Sequence, residues 1–122
     1  LGSYMSLGAS MIPGVGAETQ ILGMSASATN IGNRTVNITY LGYAIKKDGR
    51  YNIIYPVNRE FDGKASLNPS EMAETQFIRM VIEVLFEENR KTKLFVYAKD
   101  TEGAEYTRKA GTAGKLIDNL SK

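Results

Sequence analysis

Residues 22–45, LGMSASATNIGNRTVNITYLGYAI, determine the fold that the sequence predicts. Over residues 22–29, aliphatic side chains alternate with glycine, serine and threonine, and Val36 and Ile38 alternate with polar neighbours in the same way. This period of two is typical of a β-strand with one face on a core and the other in water. The connector 30–34, Asn-Ile-Gly-Asn-Arg, contains residue types that tolerate positive φ. We therefore predict an antiparallel hairpin of two strands joined by a tight turn.

The second arm of this stretch changes the parity of its apolar positions. They are even-numbered up to Ile38 and odd-numbered from Leu41 to Ile45. Because side chains alternate strictly along a strand, the change requires one extra residue. We predict a β-bulge, or a bend of the strand, between Thr39 and Gly42.

Turn residues divide the rest of the chain into further short elements. Asp48-Gly49 is a strong hairpin signal, and residues 100–103 (DTEG) predict a third hairpin. Residues 94–98 (LFVYA) are the most apolar of these strands, so we place them at the centre of a sheet. The stretch 79–88 (RMVIEVLFEE) aligns its apolar residues on one face at helical spacing, which favours a short helix packed over an open end of the fold.

These elements predict a mainly β protein. About seven short strands separated by turn signals are typical of an immunoglobulin-like antiparallel β-sandwich, here with one short helix near residues 79–88. We assign residues 1–110 to a single domain of this kind. Residues 111–122, from a Gly-, Ala- and Lys-rich segment, are predicted to be a flexible C-terminal tail in which Lys115 to Leu120 could form a loose helical turn.

Two stretches resemble a known family. Residues 29–38 (TNIGNRTVNI) look like the TNxGxxxVxI hairpin of many bacterial immunoglobulin-like modules, and residues 96–106 (VYAKDTEGAEY) look like their closing VxxxDxxGxxY hairpin. Such modules occur on cell-surface, envelope and phage proteins. The resemblance therefore implies an interaction or structural module and favours an extracytoplasmic or cell-surface location. Its pattern is structural rather than catalytic, so it implies no activity.

Composition restricts the chemistry that the chain can perform. The 122 residues include no Cys and no His, which removes the ligands of nearly every structural zinc site and the commonest general base. We predict a protein that is not an enzyme, with no catalytic residue, no metal and no cofactor. Asp100, Glu102 and Glu105 could offer oxygen ligands to Ca²⁺ around one turn. Carboxylates at turns more often cap backbone amides, and we favour that interpretation.

Aromatic and basic residues are interleaved around the Asp48-Gly49 hairpin. Such a surface could stack on single-stranded nucleic acid or on sugars. Aromatic residues are also common on strands because they pack well across a pleated sheet, and this is the interpretation that we favour. The candidate binding residues of this hairpin are Tyr43, Lys46, Lys47, Arg50, Tyr51 and Tyr55.

We expect a protein partner, bound by loops at one end of the sandwich or by an edge strand. The 4–12 strand is a candidate edge for self-association, because it is terminal, uncharged and apolar. A net charge of only +2 with scattered basic residues argues against nucleic acid as the main partner. The alternative is a weakly basic module that binds nucleic acid or glycan through the 43–55 hairpin. No apolar run approaches the roughly 20 residues that span a bilayer.

Overall fold

The computed structural model describes residues 5–13, 21–54, 65–78, 85 and 87–120. Within them the chain forms antiparallel β-strands in two sheets, which confirms the mainly β class. In chain order the described elements are β1 (Met5–Pro13), β2 (Ile21–Asn30), β3 (Val36–Lys47), β4 (Arg50–Ile54), β5 (Ala65–Leu67), β6 (Met72–Ile78), β7 (Lys93–Asp100), β8 (Glu105–Thr112) and the helix α1 (Ala113–Leu120).

The strands divide into a smaller and a larger sheet. The first sheet has the order β1-β2-β6, and the second has the order β4-β3-β7-β8. The short strand β5 pairs with the start of β3, at Val36 to Ile38. Strand β4 pairs with the end of β3, at Tyr43 to Lys47. It adds one strand to the seven or so that the sequence predicts.

The core lies between the two sheets. Ile38 on β3 and Val96 on β7 are 1% and 0% exposed, so both strands point their aliphatic side inward as expected. Because β2 alternates small apolar and polar residues, it contributes Met24, Ala26 and Ala28 from the opposite sheet. Burial of apolar surface on both sheets stabilises the sandwich at about 25 cal/mol per Å².

The hairpin predicted over residues 22–45 is wrong. Strand β2 pairs with β1 and β6, whereas β3 pairs with β4, β5 and β7, so residues 31–35 cross from one sheet to the other. The two strands face each other across the core instead of sharing a ladder. Alternation identifies which side chains are buried, but it does not identify the partner strand, because both arrangements bury the same residues.

The predicted bulge in β3 is confirmed. The pairing of β3 with β7 shifts register between Ile38 and Tyr40, which leaves Thr39 as the extra residue. The Thr39 hydroxyl donates a hydrogen bond of 3.1 Å to the Lys99 carbonyl. The shift allows both Ile38 and Leu41 to face the core.

The two predicted turns form as expected. Asp48 and Gly49 both have positive φ, at 51° and 76°, which suits the tight turn between β3 and β4. The 100–103 turn joins β7 to β8, and β7 lies between β3 and β8 as the most apolar strand should.

Strand β1 lies at an edge of the first sheet, as the 4–12 prediction requires. Its free side is partly covered, because Arg108 Nη1 on β8 donates a hydrogen bond of 2.7 Å to the Leu7 carbonyl. Arg108 therefore links the edge strands of the two sheets.

The flexible tail predicted for residues 111–122 is replaced by regular structure up to Leu120. Gly111 and Thr112 complete β8, and α1 follows directly. Ala113 and Leu116 are buried in the core at helical spacing, and the Ala113 amide donates to the Thr92 carbonyl at 2.8 Å. The Gly- and Lys-rich composition concealed this apolar pair. Residues 121–122 lie outside the described chain.

The helix predicted over residues 79–88 falls mostly outside the described residues. Leu85 and Glu87 have helical backbone conformation, and the Glu88 amide donates to the Leu85 carbonyl at 3.2 Å. Leu85 is 1% exposed and belongs to the core.

Candidate functional site

A polar cleft of about 210 Å³ opens at the end of the sandwich where β2 crosses to β3. One wall consists of residues 33–37, and the other consists of residues 100–102 with Tyr106. The Thr101 amide donates to the Asn37 carbonyl at 2.9 Å and joins the two walls. The two walls are more than 60 residues apart in the sequence, and they come from the two motifs that the sequence analysis singled out. These motifs therefore build one site.

Asn30 holds the first wall in place. Its side chain is fully buried, and its Nδ2 donates to the carbonyls of Arg34 and Leu67 at 2.7 and 2.8 Å. Its Oδ1 accepts from the Gly32 amide at 2.9 Å. The backbone of Asn30 exchanges further hydrogen bonds with Ser70 and Glu71 before β6. One buried amide thus fixes the crossing segment to both sheets, because a buried polar group must have its hydrogen bonds satisfied.

Asp100 holds the second wall in a comparable way. Its Oδ1 accepts from the amides of Glu102 and Ala104 at 2.9 and 2.8 Å, and its Oδ2 accepts from the Tyr106 hydroxyl at 2.9 Å. Gly103 completes the turn at φ 87°. The preferred interpretation of this carboxylate, as a cap of backbone amides, is confirmed. Asp100, Gly103 and Tyr106 therefore hold this turn together in the present chain.

The rim of the cleft carries charge of both signs. Arg34 on the first wall and Glu102 on the second are both exposed. Neither takes part in the ion pairs of the described chain, which join Lys47 to Glu88 and Arg90 to Asp118. The cleft therefore offers one cation and one anion to a ligand.

Two large apolar side chains are exposed beside the same crossing. Ile31 is 62% exposed and Met72 is 59% exposed, and they are the large apolar residues most open to solvent in the described chain. Met72 pairs with Thr29 on β2, two residues before Ile31. The end of the sandwich thus combines exposed apolar side chains with a polar cleft.

Tyr43 lies in the core. The prediction that it is a binding residue of the 43–55 hairpin is therefore wrong. Tyr43 is 0% exposed, and its hydroxyl donates to the Ser25 carbonyl on the opposite sheet. Burial raises the pKa of the Tyr43 phenol well above its ordinary value. The reason is parity, because Tyr43 and Ile45 face inward whereas Lys46 faces outward.

The other candidate residues of the hairpin do not form one cluster. Lys46 and Tyr51 are paired across the ladder, with Lys46 Nζ 5.4 Å from the centre of the Tyr51 ring. Lys47 instead forms an ion pair of 2.8 Å with Glu88. Lys47 and its ladder partner, the exposed Arg50, belong to the opposite face of the hairpin from Lys46 and Tyr51. Tyr55 lies outside the described residues.

The sequence prediction missed Ile31, Arg34 and Met72 as surface residues of a possible site. The sequence did predict that loops at one end of the sandwich bind a partner, and this prediction points to the region of the cleft. It did not identify which loops meet, because the hairpin interpretation kept residues 31–35 in one sheet.

No family model, no curated protein and no solved structure matches this chain. The fold itself is a mainly β sandwich of two antiparallel sheets. In the described ranges, no helix is long and apolar enough to cross a membrane. The same part of the chain brings together no set of three acidic residues that could hold a metal ion.

Proposed function

We propose that this protein is a non-enzymatic interaction module of a bacterial surface, envelope or phage-related protein. It binds a protein partner through the crossing end of the sandwich, defined by Ile31, Met72 and the cleft between residues 33–37 and 100–106. The observation that carries the proposal is that exposed apolar side chains and a charged polar cleft lie together at this end.

The strand order supports an immunoglobulin-like type of sandwich. In such domains, strands A, B, E and D form one sheet and strands C, F and G form the other, and variable-type domains add a C′ strand beside C. Here β1-β2-β6 faces β4-β3-β7-β8. Tyr43 on β3, the third strand, fills the centre of the core, where antibody domains carry a Trp on strand C.

The composition of the crossing end suits a protein interface. Apolar side chains that lie together in a patch and stay exposed in a folded domain commonly mark contact sites. Interfaces place such anchors centrally and surround them with polar and charged groups. Ile31 and Met72 supply anchors, and Arg34 and Glu102 supply the charged rim.

Photo-crosslinking tests the proposal directly. A photoreactive residue replaces Asn33 on the cleft wall, and the matched control replaces Asn52, which is exposed on β4. In extracts of the source cells, we expect a discrete adduct from position 33 and none from position 52. The double variant Ile31→Ser/Met72→Ser should remove the adduct while the melting temperature is retained. Equal adducts at both positions, or an adduct that survives the double variant, would contradict the proposal.

Self-association through β1 is a second candidate interaction. It is favoured by the edge position of an uncharged strand, because an edge strand can accept a partner strand. Arg108 competes with that pairing by occupying the Leu7 carbonyl. Sedimentation of the Arg108→Gln variant should show more dimer than the wild type, whereas monomers for both proteins at high concentration would exclude this edge.

A further inference from the structure

At one end of its outer face, the second sheet brings three lysines together around two half-buried aromatic rings. Alternation points Lys46, Lys93 and Lys109 away from the core, and all three are exposed. Tyr51 and Phe95 lie among them and are half-buried, with ring centres 5.3 Å apart and perpendicular planes. We name these five residues the lysine face. It is separate from the crossing end and independent of the function proposed for it.

The pairing of the strands brings like charges together on this face. Lys46 and Lys93 lie directly opposite each other on β3 and β7, an arrangement that repulsion disfavours. Lys109 lies opposite Phe95 on the next strand. None of these three lysines takes part in the ion pairs of the described residues.

Acidic residues do not neutralise the lysine face from its own strands. The strands of the second sheet carry two carboxylates, Asp100 and Glu105. Asp100 is buried in the turn between β7 and β8. Glu105 accepts a hydrogen bond from the Tyr97 hydroxyl, and its ladder partner is Lys99, which is not one of the five residues of the lysine face. An anionic ligand placed between Lys46 and Lys93 would relieve their repulsion.

The rings select among anionic ligands. The Tyr51 ring has the Lys46 ammonium over its face and the rings of Phe95 and Tyr97 at 5.3 and 5.8 Å, so that face is not open to a stacked base. Nucleobase stacking depends on such an open face. An acidic sugar does not need such a face, because its carboxylates can pair with the exposed lysines while its C–H groups contact the exposed edges of the two half-buried rings. We infer that the lysine face binds an acidic polysaccharide.

Calorimetric titration of the whole chain with a galacturonate octamer tests this inference, with the neutral maltooctaose and an oligo(dT) strand of similar length as comparison probes. We expect binding of the galacturonate octamer that weakens as NaCl increases, because the lysines are solvent-exposed. Maltooctaose should not bind measurably. Tighter binding of oligo(dT) would overturn the inference in favour of nucleic acid, and absence of galacturonate binding at low salt would overturn it altogether.

Charge-matched variants locate the site. Lys46→Gln/Lys93→Gln should weaken galacturonate binding by about fivefold or more. The control Lys91→Gln/Lys115→Gln removes the same charge from exposed residues outside the strands of the lysine face and should leave affinity close to that of the wild type. Equal losses in both variants would show a non-specific charge effect and overturn the assignment. If the first variant does not fold, Lys109→Gln compared with Lys91→Gln removes one charge from each place and provides the matched comparison.

Discussion

Replacing Asn30 should disrupt the crossing between the sheets more than any surface change. Its side chain makes three hydrogen bonds, to the Gly32 amide and to the carbonyls of Arg34 and Leu67, at 2.7 to 2.9 Å. The change Asn30→Ala removes all three and leaves their partners unpaired. The Leu67 bond is buried, so its carbonyl cannot recover the loss by binding water.

The magnitude follows from these contacts. A typical hydrogen bond contributes about 1 kcal/mol net, so Asn30→Ala should lower the free energy of unfolding by about 3 kcal/mol. For a domain of this size, that corresponds to a decrease in melting temperature of about 12 °C. Such a loss is a large fraction of the roughly 5–15 kcal/mol that stabilises a small domain.

The variant Asn30→Asp separates hydrogen bonding from loss of volume. It keeps an acceptor for the Gly32 amide but sets a buried carboxylate against two carbonyl oxygens. At pH 7 it should be at least as destabilising as Asn30→Ala. Burial would raise the pKa of the introduced carboxyl above its unfolded value of about 3.9. The native state then binds its proton more readily, so this variant should lose stability as the pH rises from 4 to 7.

Urea denaturation of the three proteins at pH 4 and pH 7 measures these differences. The control Asn52→Ala changes an exposed residue and should stay within about 0.5 kcal/mol of the wild type. The reasoning is refuted if Asn30→Ala loses no more than this control. It is also refuted if Asn30→Asp is the more stable of the two Asn30 variants at pH 7.

Three further predictions concern the turn and the core. Asp100→Ala removes the acceptor of two turn amides and of the Tyr106 hydroxyl. It should lower the free energy of unfolding, measured by urea denaturation, by about 3 kcal/mol. A loss near zero would mean that the turn forms without the Asp100 carboxylate. Gly103→Ala should lose about 1 kcal/mol from backbone strain alone, because φ is 87° and no atom lies within 4 Å of the added carbon. Tyr43→Phe should lose about 1 kcal/mol at pH 7 through the bond to Ser25. Because burial raises the pKa of the Tyr43 phenol, the native state keeps a proton that the unfolded chain releases above about pH 10. The stability of the wild type should therefore fall relative to Tyr43→Phe as pH rises above that value, and a constant difference between them would contradict the assignment.

Local sequence signals determined several features of this protein. The alternation along residues 22–45 identified the buried side chains, and the parity change after Ile38 located the bulge to within four residues. Asp48-Gly49 and the DTEG turn defined two hairpins, since a tight turn depends on residues adjacent in the chain. These are consequences of side-chain direction and backbone conformation, which the sequence carries directly.

Tertiary structure decided which strands became partners and therefore where a site could form. An apolar face is buried equally well in a hairpin or across a sandwich, so the pattern of β2 and β3 could not distinguish the two. The choice depends on the hydrogen bond from Asn30 to the Leu67 carbonyl and on the pairing of β2 with β6, which are contacts between residues far apart in the chain. The same long-range packing put Tyr43 in the core and brought residues 33–37 to Asp100. Surface chemistry at a cleft or on a sheet face exists only after those distant segments have met.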